Sequence, residues 1–128
     1  MTTIRGTFDV TMHAEPPHFE RDGVAIARAT FDKTFHGPLS AESHVDFLSV
    51  RAGEHAAYVA IERIEGTVDG KAGSFVVTHK AQASSDGAAL AIEVVPGTGT
   101  GELAGLTGTI DVEITDGVHH YAMTYALP

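Results

Sequence analysis

The sequence predicts an all-β protein whose single domain, residues 1–128, is a closed antiparallel β-barrel. Apolar and polar residues alternate along most of the chain, which is the two-residue period of a half-buried strand. Asp-Gly dipeptides and other turn signals recur at hairpin spacing and divide the chain into about seven to nine strands. No segment shows the apolar period of an amphipathic helix. A barrel is favoured over a sandwich because neighbouring hairpins share strands and closure removes unpaired sheet edges.

The composition excludes several classes of protein. The chain has no cysteine, so disulfide frameworks, thiol nucleophiles and thiolate metal sites are ruled out. The formal net charge of −9 argues against nucleic-acid and membrane partners, because binding to nucleic acids or anionic membranes needs a basic surface. We see neither a signal peptide nor an apolar run long enough to cross a bilayer, so we expect a soluble, cytoplasmic protein.

The first part of the chain has the pattern of extended structure with one proline interruption. Residues 3–13 place four apolar side chains on one face: Ile4, Phe8, Val10 and Met12. Pro16-Pro17 interrupts pairing because proline lacks the ladder donor, and the segment to Asp22-Gly23 is an edge strand or a loop. Val24–His36 has no single clean face, which leaves open one strand with a bulge or two short strands. Gly37-Pro38 ends this run.

The next strand, residues 39–50, leads into a tight turn predicted at Ala52-Gly53. The resulting register opposes three residue pairs: Phe47 with Tyr58, Val45 with Ala60, and Ser43 with Glu62. Opposed residues share a face of the sheet. Ser43 is therefore predicted to point inward together with Glu62.

Two Asp-Gly dipeptides organise the central stretch Tyr58–Val95. A type I′ hairpin turn needs positive φ at both central residues, and Asp-Gly supplies it readily. Folding about Asp69-Gly70 sets Glu62 opposite Val77 on an apolar face. Folding about Asp86-Gly87 pairs the same middle strand with the strand that follows it.

Both hairpins give this shared strand the same inward face. The first sets His79 opposite Ala60, and the second sets His79 opposite Val94. Lys80 points outward in both, and the second hairpin brings it to Glu93. His79 is therefore predicted inside the barrel, on a face that is otherwise mostly apolar.

The glycine-rich string PGTGTGELAGLTG occupies residues 96–108. It lacks the Lys-Ser/Thr ending and the following helix of a phosphate-binding loop, so we expect a turn or bulge at a barrel corner. Asp116-Gly117 then organises the last hairpin. Its register opposes three inward pairs: Ile110 with Met123, Val112 with Tyr121, and Ile114 with His119. Glu113 faces His120 on the outer side.

Glu62 is the most unusual inward residue. A carboxylate on an apolar face is costly to bury unless it is hydrogen-bonded, changes its pKa or touches water. His79 lies one pair along on the neighbouring strand, about 7–8 Å away on the diagonal. The two could form an acid/base pair in an apolar pocket and act as catalytic residues. They could equally belong to a structural polar network in which Tyr58 and Ser43 satisfy them.

A ligand pocket inside the barrel would be lined by inward residues near this pair. The predicted ligand-binding residues are Tyr58, Ser43, Phe47, Phe75, Val77, His119, Tyr121 and Met123. The eight histidines form no HxH or HExxH cluster, so we expect no metal site and no cofactor. A nucleophile-elbow GxSxG motif is also absent.

Three blocks of the sequence resemble a family of small bacterial proteins of unknown function: AYVAIERIEGTVDGKAGSFVVTH, VVPGTGTGELAGLTG and DGVHHYAMTYALP. The resemblance runs from about Phe31 to Pro128. It implies an eight-stranded antiparallel barrel of the allene-oxide-cyclase-like type, in which plant and bacterial cyclases hold a hydrophobic substrate. It supplies no established activity. No motif of the plant enzyme is present, so no catalytic residue transfers, and fold alone does not justify a function.

Three functions follow from these expectations. The first is an isomerase or cyclase for a small apolar metabolite, with Glu62 as general base or electrostatic stabiliser and His79 as its proton partner. The second is a carrier that binds a small apolar ligand without turnover. The third is a filled barrel that serves as a structural module and forms homo-oligomers. A cavity that reaches solvent near Glu62 would favour the first two.

Overall fold

Nine β-strands and one turn of 3₁₀-helix form the structure, a computed structural model that describes residues 1–128. The strands are β1 (Thr2–Ala14), β2 (Phe19–Arg21), β3 (Val24–His36), β4 (Leu39–Ala52), β5 (His55–Val68), β6 (Lys71–Ser84), β7 (Gly87–Val94), β8 (Thr107–Thr115) and β9 (Val118–Ala126). They pair antiparallel in the order β1-β9-β8-β7-β6-β5-β4-β3, and β1 pairs with β3. Eight strands thus close a barrel, which confirms the predicted fold class. No helix has the length and hydrophobicity of a transmembrane span.

The proline interruption separates two strands that lie along the same edge of β3. β1 pairs with β3 up to Ala14, and after Pro16-Pro17 the short β2 resumes the pairing from Phe19. Asp22-Gly23 then reverses the chain with φ of 55° and 77°, as a type I′ turn requires. β3 itself is one continuous strand, which settles the choice that its pattern left open.

Two of the Asp-Gly turns have the predicted form. Asp69-Gly70 and Asp116-Gly117 have positive φ at both residues. Their hairpins have the predicted registers, with Glu62 opposite Val77 in the first and Glu113 opposite His120 in the second. When both residues of an Asp-Gly pair adopt positive φ, they are the two central residues of a type I′ turn, so the dipeptide sets the register of the hairpin.

The turn between β4 and β5 lies one residue later than predicted. Its central residues are Gly53 and Glu54, and Ala52 pairs with His55. Gly53 has φ of 60° and occupies the first central position, where a type II′ turn prefers glycine. The predicted pairing of Ser43 with Glu62 was therefore wrong by two residues, and Ser43 pairs with Ile64. The inward face is unchanged because side chains alternate with a period of two.

The turn between β6 and β7 lies one residue earlier than predicted. Its central residues are Ser85 and Asp86, and Ser84 pairs with Gly87. The amide of Asp86 donates a hydrogen bond to Ser84 Oγ at 3.2 Å, which stabilises the earlier reversal. The predicted pairing of His79 with Val94 was wrong by two residues, as was that of Lys80 with Glu93. Both side chains nevertheless keep the predicted face.

The glycine-rich segment after β7 closes one end of the barrel. Leu103 and Leu106 are fully buried in the same hydrophobic core as Phe75. The segment lies along β6, where the Thr100 amide donates to the Ser74 carbonyl at 2.8 Å. It is therefore a lid of two leucines held by strand-like hydrogen bonds, which goes beyond the turn or bulge that its composition suggested.

Tyr121 on β9 fastens the turn between β3 and β4. Its hydroxyl accepts a hydrogen bond from the Leu39 amide at 3.0 Å and lies 3.0 Å from the His36 carbonyl oxygen. Gly6 on β1 pairs with Tyr121 and leaves room for this arrangement. A Cβ atom at Gly6 would lie 2.2 Å from the His36 oxygen and 2.5 Å from the Tyr121 hydroxyl. We refer to Gly6, Tyr121, His36 and Leu39 as the tyrosine clamp.

Candidate functional site

Three polar side chains from adjacent strands meet inside the barrel. They are Ser43 on β4, Glu62 on β5 and His79 on β6, and all three are buried. Strict alternation along each strand turns these residues inward, as the sequence predicts. Glu62 is only 2 % exposed, so it depends on partners from the protein rather than on water.

Glu62 accepts three hydrogen bonds. Lys33 Nζ and His79 Nε2 donate to its Oε1 atom at 3.2 and 2.7 Å, and Ser43 Oγ donates to Oε2 at 2.6 Å. Burial raises the pKa of Glu62, but the hydrogen bond from His79, the charge of Lys33 and the hydrogen bond from Ser43 outweigh it. The pKa of Glu62 therefore lies below its ordinary value, and the group is a carboxylate at neutral pH.

The contact with Glu62 fixes the tautomer of His79. An ionised carboxylate only accepts hydrogen bonds, so Nε2 carries a proton, and in the neutral form of the ring Nδ1 has the lone pair. The Tyr58 hydroxyl lies 3.4 Å from Nδ1. Burial, followed by the charge of Glu62, raises the pKa of Tyr58, so its hydroxyl keeps its proton and donates. A chain of donors thus runs from Tyr58 through His79 to Glu62.

Lys33 on β3 completes the cluster, and the sequence reasoning missed it. Its side chain is 11 % exposed, and Nζ lies 5.0 Å from the centre of the Phe8 ring. The signal was present in the sequence. Phe31, Lys33 and Phe35 alternate with polar neighbours, so all three share a face once β3 is known to be continuous.

A cavity of about 180 Å³ lies above this cluster. Its walls are formed by Phe8, Val10, Phe31, Lys33, Val45, Phe47, Tyr58, His79 and His119. Several of these side chains are half-buried, so the cavity opens to solvent at its rim. A larger hollow of about 560 Å³ lies at the ends of the β4–β5 and β6–β7 hairpins, and it contains no buried charged group. The smaller cavity combines apolar walls with the side chains of Lys33 and His79, which are 11 % and 6 % exposed.

The barrel and its sequence match a protein family. The family model described as "Protein of unknown function (DUF3224)" matches residues 4–125. The chain belongs to the DUF3224 family. A crystal structure of a DUF3224 protein of unknown function from Shewanella oneidensis MR-1 has a TM-score of 0.94 and 38 % sequence identity, over 100 % of this chain and 98 % of that chain. No curated protein matches the chain.

Family membership confirms the resemblance to an uncharacterised family with this barrel. Neither the family description nor the description of the Shewanella protein states an activity. For the DUF3224 chain, any functional argument therefore depends on the cavity and the buried cluster.

The other predicted ligand-binding residues of the DUF3224 chain fall into two groups. Tyr58, Phe47 and His119 line the cavity, and Ser43 lies beneath it against Glu62. Four residues are packed in the hydrophobic core and do not line the cavity: Phe75, Val77, Tyr121 and Met123. Knowing that a residue points inward does not reveal whether it lies at the open or at the filled end of the barrel. The leucine lid fills the end opposite the cavity.

Proposed function

We propose that this DUF3224 protein binds a small apolar molecule in the barrel cavity and transfers a proton on it, as a cofactor-independent isomerase or cyclase. One observation carries the proposal. A cavity with aromatic walls is lined by a buried histidine whose Nε2 atom is held by a carboxylate and whose Nδ1 atom lies 3.4 Å from the hydroxyl of Tyr58, another residue of the cavity wall. Such a histidine is suited to general acid–base catalysis.

The cavity volume limits the size of the ligand. An apolar protein cavity of about 150 Å³ is large enough to bind benzene. The cavity here is about 180 Å³, so we expect a ligand with one ring or a short branched chain inside the barrel. Longer substituents would extend through the half-exposed rim.

The geometry assigns different roles to the two predicted catalytic residues. Glu62 already accepts three hydrogen bonds and has a lowered pKa, which makes it a weak base. It fits the other role considered for it, that of an electrostatic stabiliser, because it is ionised and accepts the hydrogen bond from His79 Nε2. His79 Nδ1 is then the base, and the Tyr58 hydroxyl is a second proton donor close to it.

A carrier without turnover is the second candidate. The observation in its favour is that no buried side-chain nitrogen or oxygen lacks a hydrogen-bond partner. A cluster in which every buried polar atom has at least one partner is also what a rigid binding site requires. A filled barrel with a purely structural role is the least favoured candidate because the cavity is present.

Filling the cavity tests both binding candidates. Val10 is half-buried in the cavity wall, so Val10→Phe places added ring atoms in the space for the ligand. We expect this variant to weaken the binding of isopropylbenzene at least about tenfold, measured by an NMR titration of the backbone amides. Val59→Phe is the matched control, since Val59 is exposed on the outer face of β5. Equal affinity in both variants, or no saturable binding to the wild type, would remove the proposal.

A further inference from the structure

We infer that the ligand of this cavity carries a neutral carbonyl oxygen and that Lys33 donates a hydrogen bond to it. The inference rests on the proposed function because it names the ligand class of the same cavity. It follows from three features of the cavity wall and the buried cluster beneath it: the unused donors of Lys33, the occupied oxygens of Glu62, and the balance of charge between these two residues.

Lys33 has more donors than its surroundings use. An ammonium group has three N–H donors. Within the protein, Lys33 makes one hydrogen bond, to Glu62 at 3.2 Å. The Phe8 and Phe35 rings lie 5.0 and 5.9 Å from Nζ and attract its charge, but they offer no oxygen acceptor. Because the side chain is only 11 % exposed, an acceptor atom of a ligand in the cavity is the natural partner for the remaining donors.

The cavity suits an acceptor better than a donor. Glu62 is the carboxylate of the cluster, and three protein donors occupy its oxygens. The Tyr58 hydroxyl donates to His79. His119 is half-buried with its ring 5.1 Å from that of Phe8, and its ring makes no hydrogen bond within the chain, so it can add a second donor. A ligand ammonium group would find the Glu62 oxygens already occupied by the three protein donors and would meet the additional N–H donors of Lys33.

The charge balance favours a neutral acceptor over an anion. Glu62 is ionised, and its Oε1 atom lies 3.2 Å from Lys33 Nζ, so the charge of Lys33 is already compensated. A ligand carboxylate on Lys33 would lie close to Glu62 in an apolar environment, where repulsion between like charges is strong. The oxygen of a ketone, aldehyde or ester accepts the same hydrogen bond without that repulsion.

A carbonyl group gives the proton transfer a defined course. His79 Nδ1 takes a proton from the carbon next to the carbonyl carbon. The electron pair of that C–H bond forms a new C=C bond, and the carbonyl oxygen becomes an enolate oxygen held by Lys33. Where the ligand carries a C=C bond next to that carbon, the enolate is a dienolate, and return of the proton from His79 to its far carbon shifts the C=C bond and yields an isomer, with no other reactant. The Tyr58 hydroxyl lies at the long limit of a hydrogen bond, 3.4 Å, so it can leave Nδ1 open to the ligand.

Four probes of matched size test the ligand class. Acetophenone, isopropylbenzene, benzoate and 1-phenylethylamine share a benzene ring and the same number of non-hydrogen atoms. In NMR titrations of the wild-type protein at neutral pH, we expect acetophenone to bind about tenfold more tightly than isopropylbenzene. The charged probes should bind more weakly than acetophenone. A tenfold preference corresponds to about 1.4 kcal/mol, which is the net contribution of one good hydrogen bond.

Variants of Lys33 test whether this residue causes the preference for acetophenone over isopropylbenzene. Lys33→Met should bind acetophenone and isopropylbenzene equally. The double variant Lys33→Met/Glu62→Gln removes both charges and serves if the single variant does not fold. A preference for acetophenone that persists in the variant that folds would overturn the role of Lys33. Tighter binding of benzoate or of the amine, or equal binding of acetophenone and isopropylbenzene to the wild type, would overturn the ligand class while the cavity proposal stands. If no probe binds, the cavity proposal fails too.

Hydrogen exchange on the bound ketone separates the enzyme from the carrier. In deuterium oxide, the wild-type protein should accelerate exchange of the acetophenone methyl protons, observed by proton NMR. His79→Gln should lower the catalysed rate at least about a hundredfold because a general base is lost. His120→Gln removes an exposed histidine from the outer face and is expected to leave the rate unchanged. Binding of acetophenone without catalysed exchange would exclude the isomerase and leave the carrier.

Discussion

Replacing Lys33 with methionine is expected to lower the free energy of unfolding by about 3 kcal/mol at pH 7. Methionine keeps the length and the apolar stem of the side chain but removes the charge. Glu62, 2 % exposed, would then be an ionised carboxylate with only His79 and Ser43 as partners. Removing one member of a buried ion pair is costly because the other charge remains buried. Urea denaturation followed by circular dichroism measures the change.

The cost of this substitution should depend on pH. The folded-state pKa of Glu62 is lowered from its ordinary value of 4.5, so its contribution to stability is present above pH 4.5 and is lost as the pH falls through the folded-state pKa. Without Lys33, less of this contribution exists. The stability difference between wild type and Lys33→Met should therefore be largest at neutral pH and shrink below pH 4.5. Lys80→Met, on the outer face of β6 next to the strand of Glu62, should change stability little at either pH. A constant difference across this range would contradict the assigned role of the pair.

Gly6→Ala is expected to destabilise the barrel by about 3 kcal/mol or more, or to prevent folding. The new methyl group would lie 2.2 Å from the His36 carbonyl oxygen and 2.5 Å from the Tyr121 hydroxyl. The first contact is with backbone, which cannot move without shifting the turn between β3 and β4. The tyrosine clamp would therefore open at the seam where β1 joins both β3 and β9.

Thermal denaturation and soluble yield measure the effect of Gly6→Ala. Thr7→Ala is the matched control, since it alters the next residue of β1 without placing an atom against the tyrosine clamp. We expect Thr7→Ala to remain within about 1 kcal/mol of the wild type. Comparable stability of Gly6→Ala and Thr7→Ala would show that the turn can move away from the added methyl group.

The inward faces of the strands could be predicted because they depend on alternation rather than on exact register. Two of the predicted turns were displaced by one residue, at Gly53-Glu54 and at Ser85-Asp86. Each displacement moved the pairing partner by two residues, which keeps a side chain on the same face. Ser43 and His79 are therefore buried as predicted, although their cross-strand partners differ.

The position of the cavity could not be predicted from alternation. All inward residues look alike in the sequence, and the height at which the barrel is filled depends on the glycine-rich segment. Leu103 and Leu106 of this segment pack with the core at one end of the barrel. The local sequence pattern does not indicate at which end these leucines pack. Lys33 was missed for a related reason. The residues towards the ends of β3 do not alternate cleanly, so the sequence did not show which face of this strand points inward. Phe31 and Phe35, on either side of Lys33, nevertheless indicated that face.

The leucine lid closes one end of the barrel, so the cavity opens to solvent at the opposite end. In the proposed binding function, a ligand would enter and leave by the rim bounded in part by Val10 and Phe47. An incoming molecule could then not displace the bound one through the far side, and one ligand would have to leave before the next could bind. The rate at which a bound ligand is released through this rim, rather than diffusion through the barrel, would then limit how often a new ligand can bind.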